Sequence, residues 1–264
     1  MLLVILALLG LCLGSFVNAL VWRIKNKKDW VNARSVCVNC KHQLSAIDLI
    51  PVLSWVMLRA KCRYCKKPIS VQYPVVELIT AGLFGASYHW WPYVLSSDIS
   101  SWLPFAVWLV VLVGLVAMAV YDLRWMIIPD KIIIPLIVLA ISLTFVEAVF
   151  FDGGPERIRD SVLGLLVGGG FFFLVYQLSK GKWIGGGDVK LGIFLGILLG
   201  ARDSFTALYV ASIAGSLTMI SLLLFRKVSR KSKIPFGPFL IAGIIVAKLF
   251  GESLYLWYAT RFGL

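Results

Sequence analysis

An all-α protein that threads a lipid bilayer about eight times, with one long polar insert after its first helix, is the architecture this sequence predicts. Three observations carry that expectation. Of 264 residues, 60% are hydrophobic and only 15% charged, well short of the roughly one quarter charged residues of a soluble domain. The apolar residues come in runs near the roughly 20 residues that a helix needs to cross a bilayer. No period-two alternation is visible, so helices rather than barrel strands must satisfy the backbone in lipid.

The first run covers 1–22, and its basic residues (Arg23, Lys25, Lys27, Lys28) follow the apolar stretch instead of preceding it. That polarity is wrong for a cleaved secretory signal. It predicts an N-terminal anchor with its N-terminus outside. Residues 23–73 then form the polar insert, and 74–264 hold the remaining spans. These are expected at 74–95, 103–122, 132–151, 161–179, 189–201, 205–225 and 235–250, with 189–201 short and flanked by glycines.

The net charge of +13 is distributed in keeping with this topology. With eight spans and the N-terminus outside, 21 of the 26 Lys and Arg residues fall in inner loops, eleven of them between Arg23 and Lys67 and five between Arg226 and Lys233. The positive-inside rule asks for this asymmetry, so the basic charge needs no nucleic acid to explain it. The expected partner is the lipid membrane, and the insert faces the cytoplasm.

Within the insert, Cys37-Val38-Asn39-Cys40 and Cys62-Arg63-Tyr64-Cys65 make two C-x2-C pairs. Each pair presents two thiolates from one tight turn, and two turns supply the four sulfurs of a tetrahedral zinc site. Two disulfides are the alternative, disfavoured in a reducing cytoplasm. Four sulfur ligands leave no open position, so the zinc would be structural, folding a loop with little core of its own. Cys12 lies in an apolar run and is expected to be a packed side chain.

Acidic residues near the membrane are few. Asp122 closes the third span, where a carboxylate opposes the dipole of its own helix and meets a desolvation penalty. Asp188 follows Gly185-Gly186-Gly187 and opens the next short span. It would serve as an N-cap, yet three glycines also let another backbone or a substrate strand come close. Both aspartates fall at the inner face and could converge there. Asp130, after Pro129, reads as a helix cap. Glu77, three residues after Pro74, reads equally as a first-turn dipole partner and as part of a functional site. Two close aspartates share one proton, which suits metal-free peptide hydrolysis. The same pair suits a proton-coupled transporter, and the metal insert alone suits a non-enzymatic assembly factor.

Several strings, in order, resemble the bacterial type 4 prepilin peptidases over nearly the whole chain. They are Gly14-Ser15-Phe16-Val17-Asn18 with Arg23, the cysteine quartet, Asp48-Leu49-Ile50-Pro51 and Leu58-Arg59-Ala60-Lys61-Cys62-Arg63. Further along stand Pro68-Ile69-Ser70, Tyr73-Pro74-Val75-Val76-Glu77, Tyr121-Asp122, Ile128-Pro129-Asp130, Gly185-Gly186-Gly187-Asp188-Val189-Lys190 and Pro235-Phe236-Gly237-Pro238-Phe239-Leu240.

The resemblance implies a GxGD-type aspartyl protease of the bacterial cytoplasmic membrane. Asp122 and Asp188 would be its catalytic pair, with Gly185, Gly187 and Lys190 the motif residues that substrate approaches. Its substrates would be prepilins or pseudopilins, cut between a basic leader and an apolar helix. Many members also N-methylate the new N-terminus using S-adenosylmethionine, and Glu77 lies in the region tied to that activity. The chain departs from the family pattern at Ala60, where glycine is usual, at Val38, where proline is frequent, and at Gln72, where arginine commonly precedes Tyr-Pro.

Overall fold

The computed structural model describes residues 1–30, 32–95, 99–150, 154–225 and 234–262. The basic run from Arg226 to Lys233, on which part of the charge asymmetry rests, lies outside the described residues. Nine α-helices are found among those described: α1 (Leu2–Lys25), α2 (Leu53–Met57), α3 (Gln72–His89), α4 (Ile99–Trp125), α5 (Asp130–Phe150), α6 (Gly154–Leu165), α7 (Phe171–Ser179), α8 (Gly186–Leu224) and α9 (Gly237–Phe262). A 3-10 turn covers Ala46–Leu49, and a π-helical turn, Leu166–Gly170, joins α6 to α7. Among the described residues the only extended pairing is two isolated bridges in the insert.

Among the described residues, six stretches are long and apolar enough to cross a membrane: α1, α4, α5, α6 through α7, α8 and α9. The 18-residue α3, which carries Gln72, Glu77 and His89, is not among them. The two spans expected at 189–201 and 205–225 are one 39-residue element, α8, broken at Gly200. The chain is therefore all-α and multi-pass, and counting α3 and both parts of α8 gives the expected eight segments.

The chain forms two compact units, Met1–Trp91 with Trp108–Val120, and Pro92–Val107 with Tyr121–Leu264. In the first, α1 lies against α3 so closely that a side-chain carbon at Gly14 would sit 2.6 Å from the Cα of Glu77. Small residues permit such backbone approach where lipid offers no hydrophobic drive. The Asn18 amide fastens the joint, donating to the carbonyls of Gly14 (3.3 Å) and Tyr73 (3.2 Å), while Gln72 donates to Asn18 Oδ1 (3.1 Å). Farther along, the Trp108 indole, fully buried, donates to Ser87 Oγ at 3.0 Å.

In the second unit the first part of α8 packs on α6, where a carbon at Gly164 or Gly196 would overlap the carbonyl of the other. Gly200 then takes φ 79° and ψ −177°, a conformation that only glycine adopts without strain. Breaking a helix strands backbone groups, and side chains of α5 and α6 meet them. Asp160 accepts from the Ala201 N–H (3.0 Å), Arg157 donates to the Leu198 carbonyl (3.0 Å) and Ser161 to that of Ile197 (3.0 Å). Arg157 is itself held by Glu147 at 2.7 Å.

Candidate active site

Asp122 occupies the last turn of α4 and is buried. The helix stops at Trp125 because Met126 turns left-handed (φ 53°), its N–H donating to the Asp122 carbonyl at 2.8 Å. Ile127-Ile128-Pro129 then leads into α5, whose first turn starts on the Pro129 carbonyl. The buried Ile128 lies against Gly187, where an added carbon would sit 3.0 Å from the isoleucine Cβ. Glycine at 187 thus lets the α4–α5 link rest on the start of α8, next to Asp188.

The Asp188 carboxylate accepts the Gly185 N–H at 3.1 Å, and its own N–H donates to the Gly185 carbonyl at 3.1 Å. This reciprocal pair starts α8 and fixes the carboxylate at a helix N-terminus. Asp188 is half-buried and lies within electrostatic range of Asp122. The fold therefore brings the two sequence-predicted aspartates to one place.

Sequence reasoning left Asp122 opposed by the dipole of its own helix. The structure supplies the compensation: the carboxylate accepts the backbone N–H of Gly237, the first residue of α9. Both aspartates thus stand at helix N-termini, where the unpaired N–H groups and partial positive charge favour a carboxylate. Gly237 belongs to a quoted string, but no role was assigned to it. A carbon at Gly237 would lie 2.5 Å from Asp122 Oδ2, so the close approach needs glycine. Lys190 forms an exposed ion pair with Asp130 at 2.5 Å. Asp130 is therefore both the first residue of α5 and a tie to α8.

The insert carries a second site. Around Cys37, the Cys37 N–H donates to the His42 carbonyl (2.9 Å), Lys41 N–H to the Cys37 carbonyl (2.9 Å) and Leu44 N–H to that of Ser35 (2.9 Å). Around Cys62 the pattern recurs twenty-five residues on: Cys62 to Lys67 (2.8 Å), Lys66 to Cys62 (3.0 Å) and Ile69 to Ala60 (2.7 Å). Lys41 and Lys66 share a left-handed φ near 60°. The quartet is thus two copies of one knuckle, and the four Sγ atoms lie within 4.8 Å of one another. That cluster can hold a metal ion. Burial pushes the Cys37 thiol up, but backbone N–H groups of Cys40 and Asn39 and neighbouring thiols outweigh it, bringing the pKa from 9.0 to about 7. That favours a thiolate at Cys37. At Cys65 the Lys67 backbone N–H pulls the other way from burial and the neighbouring thiols, which outweigh it and push the thiol up to about 11. The geometry of the four sulfurs, not these shifts, carries the metal reading.

Asp48 ties the two knuckles together, accepting from Ser45 N–H (3.1 Å), Ser45 Oγ (2.8 Å), Arg63 Nε (2.6 Å) and Tyr64 OH (3.1 Å). His42 stacks on Tyr64 with centroids 3.7 Å apart. Cys12 corrects its expectation: it is exposed on α1. Glu77 is buried, and its carboxylate accepts the Val52 N–H at 2.7 Å and a hydrogen bond from Ser15. The structure thus gives it a partner in the insert, a backbone amide with no signature in sequence.

Two family models match the chain: the bacterial peptidase A24 N-terminal domain over residues 8–91, and the type IV leader peptidase family over 109–220. Among curated relatives, a prepilin leader peptidase/N-methyltransferase of Aeromonas hydrophila is 32% identical over 97% of this chain and 93% of its own length. One of Bacillus subtilis is 32% identical over 96% of each. The chain belongs to the type IV leader peptidase family. A third peptidase of that name, from Myxococcus xanthus, is 36% identical over 84% of this chain and 63% of its own length. No solved structure matches the chain significantly. As a member of the leader peptidase family the chain is an enzyme, and the expectations of a transporter or an assembly factor give way.

Proposed function

We propose that this chain is a membrane aspartyl endopeptidase that removes the leader from type IV prepilins or pseudopilins, with Asp122 and Asp188 as its catalytic pair. The observation that carries the assignment is the convergence of these two carboxylates, remote in sequence, each on a helix N-terminus. Two carboxylates that close on each other share one proton. The ionised one takes a proton from water, and the water oxygen attacks the scissile carbonyl. The protonated one donates to the carbonyl oxygen as the tetrahedral intermediate forms. Collapse breaks the C–N bond, and a proton passes to the departing amine. Gly185, exposed just ahead of α8, leaves room for an extended substrate strand beside Asp188, while Gly187 seats Ile128. Lys190, paired with Asp130, steadies the mouth of the site.

The N-terminus lies outside and the insert in the cytoplasm of a bacterial inner membrane, as the placement of Lys and Arg supports. A basic leader then stays on the insert's side while the apolar helix behind it enters the bilayer. The metal in the insert is zinc. A Zn–S bond of about 2.3 Å sets tetrahedral S–S edges of about 3.8 Å, and Cys37 and Cys65 stand 3.9 Å apart. Bound there, zinc would hold the two knuckles together and take no part in hydrolysis. N-methylation of the new N-terminus, with S-adenosylmethionine as donor, is the second activity. Glu77 serves it as a positioning residue, since its carboxylate holds the insert through Val52.

The test is the mass of a prepilin incubated with reconstituted enzyme and S-adenosylmethionine. Asp122→Asn and Asp188→Asn each leave the substrate uncut, while the wild type releases the leader and shifts the product by one CH2. Cleavage at the wild-type rate by either variant would remove that aspartate from the mechanism.

A further inference from the structure

The insert is not wholly polar. Residues 46–57 expose a run of large apolar side chains. In the 3-10 turn and the link that follows, Ile47 is 61% exposed, and Leu49 and Ile50 are exposed too. In α2, Leu53 (52%), Val56 (57%) and Met57 (70%) are exposed. Positions i, i+3 and i+4 of a helix share one face, so these three form a single stripe. Trp55 points elsewhere, its indole donating to the Ile69 carbonyl at 3.2 Å and tying α2 to the second knuckle.

The height at which this stripe is carried decides what meets it. The N–H of Val52, the residue before α2, is fixed to the Glu77 carboxylate at 2.7 Å. Glu77 in turn packs on Gly14, inside the uncharged stretch of α1 that ends at Arg23. Gly14 lies nine residues before Arg23, the first charge of α1, which is about 13 Å of helix. The start of α2 is therefore pinned beside the apolar part of α1, not out beyond its charged end.

The surrounding charge agrees with that placement. Eleven Lys and Arg residues between Arg23 and Lys67 face two acids, Asp29 and Asp48, and Asp48 is matched by Arg63. An apolar stripe with a basic surround is the pattern of segments that lie in the surface of an anionic bilayer.

We infer that residues 46–57 form an interfacial wedge: the Leu53, Val56 and Met57 face of α2 is immersed in the acyl–headgroup boundary of an anionic bilayer, with the insert's Lys and Arg residues on the lipid phosphates. Contact of this kind buries an amphipathic helix about 5–10 Å into the boundary. The zinc knuckles stand clear of it, in water. The inference does not depend on the aspartate assignment, because its readout is depth and not cleavage.

The experiment uses the full chain in phosphatidylcholine vesicles containing phosphatidylglycerol. p-Acetylphenylalanine is introduced in place of Val56, or of Gln43 on the first knuckle, and carries a nitroxide. Power saturation then compares collisions with oxygen, which enters lipid, and with a nickel chelate, which does not. The label at 56 should favour oxygen, by a smaller margin than a lipid-facing position within the α1 span such as Leu8, and the label at 43 should favour nickel. Nickel access at 56 equal to that at 43 would overturn the inference. So would a label at 56 shielded from both reagents, which marks a protein partner. Equal immersion in phosphatidylcholine alone would overturn the part given to the basic residues.

Discussion

The N–H of Gly237 is hydrogen-bonded to the carboxylate of Asp122, so α9 begins on the residue with which α4 is closing. One contact caps a helix and aims a carboxylate. Gly237→Ala puts a carbon 2.5 Å from Asp122 Oδ2 and must push the carboxylate aside. Misplacement of about 1 Å at a reacting group costs on the order of 100-fold in rate. The expected result is a fall of about 10- to 100-fold in kcat with little change in KM and a displaced pH–rate profile. A variant with wild-type kcat would show that this hydrogen bond does not set the aspartate's position.

Asp48 makes a prediction about pH. Burial raises its pKa, but the Arg63 guanidinium and the Ser45 and Tyr64 groups overcome that, holding the carboxyl at about 2, down from 3.8. A depressed carboxylate pKa stabilises the folded state above the unfolded value, and that contribution is lost as pH falls through the folded one. Its side chain is only 3% exposed, though Arg63 is 46% exposed, so the gain is about 1–2 kcal/mol once solvent screening of Arg63 is allowed for. Asp48→Asn should melt lower than wild type by a constant margin from pH 7 to about 4, and the margin should close towards pH 2. A margin that stays constant through that range would count against the ion pair.

Ala60 explains a departure from the family pattern. It takes φ 58°, a left-handed conformation that costs an L-residue about 1–2 kcal/mol and glycine almost nothing. Glycine's extra freedom in the unfolded chain returns part of that gain. Ala60→Gly should therefore raise the stability of the insert by about 0.5–1 kcal/mol, read as a higher denaturant midpoint for protease resistance between α1 and α3. An unchanged or lower midpoint would mean that the strain is relieved elsewhere.

Metal removal separates the insert from the spans. A zinc-selective chelator should extract about one ion per chain and open the 26–71 stretch to protease, while most of the helical circular dichroism persists. The insert has too little apolar core to fold without its metal. Cys40→Ser should bring the same protease sensitivity without chelator. Full resistance after extraction would assign the fold of the insert to its hydrogen bonds alone.

Much of this was legible in sequence because the signals are local. The cysteine spacing reports two identical turns, and glycines before an aspartate report a crowded helix start. The strings 14–18 and 73–77 look unrelated until α1 and α3 are seen to meet through Gly14, Ser15, Asn18 and Glu77. What was hidden depends on groups without side-chain signatures. The Asp122 partner is a backbone amide 115 residues away, and the Glu77 partner is the amide of Val52. The end of α9 was set too early, at 250, because Glu252 and Ser253 lower the hydropathy without breaking the helix, which runs to Phe262. The break near Gly200 was legible, because glycines flank a short apolar run there and Arg202 and Asp203 follow it.

The break at Gly200 also fixes a length. The part of α8 before it, 186–199, measures about 21 Å, against a hydrocarbon thickness of about 30 Å. Such a rod cannot reach from one face of the bilayer to the other. With Gly200 at one face, Asp188, twelve residues or about 18 Å away, would stand roughly 12 Å beneath the opposite one, unless the lipid thins to meet it. Either way, on the proposed assignment water would have to come down to the peptide bond instead of the bond being drawn out to bulk solvent.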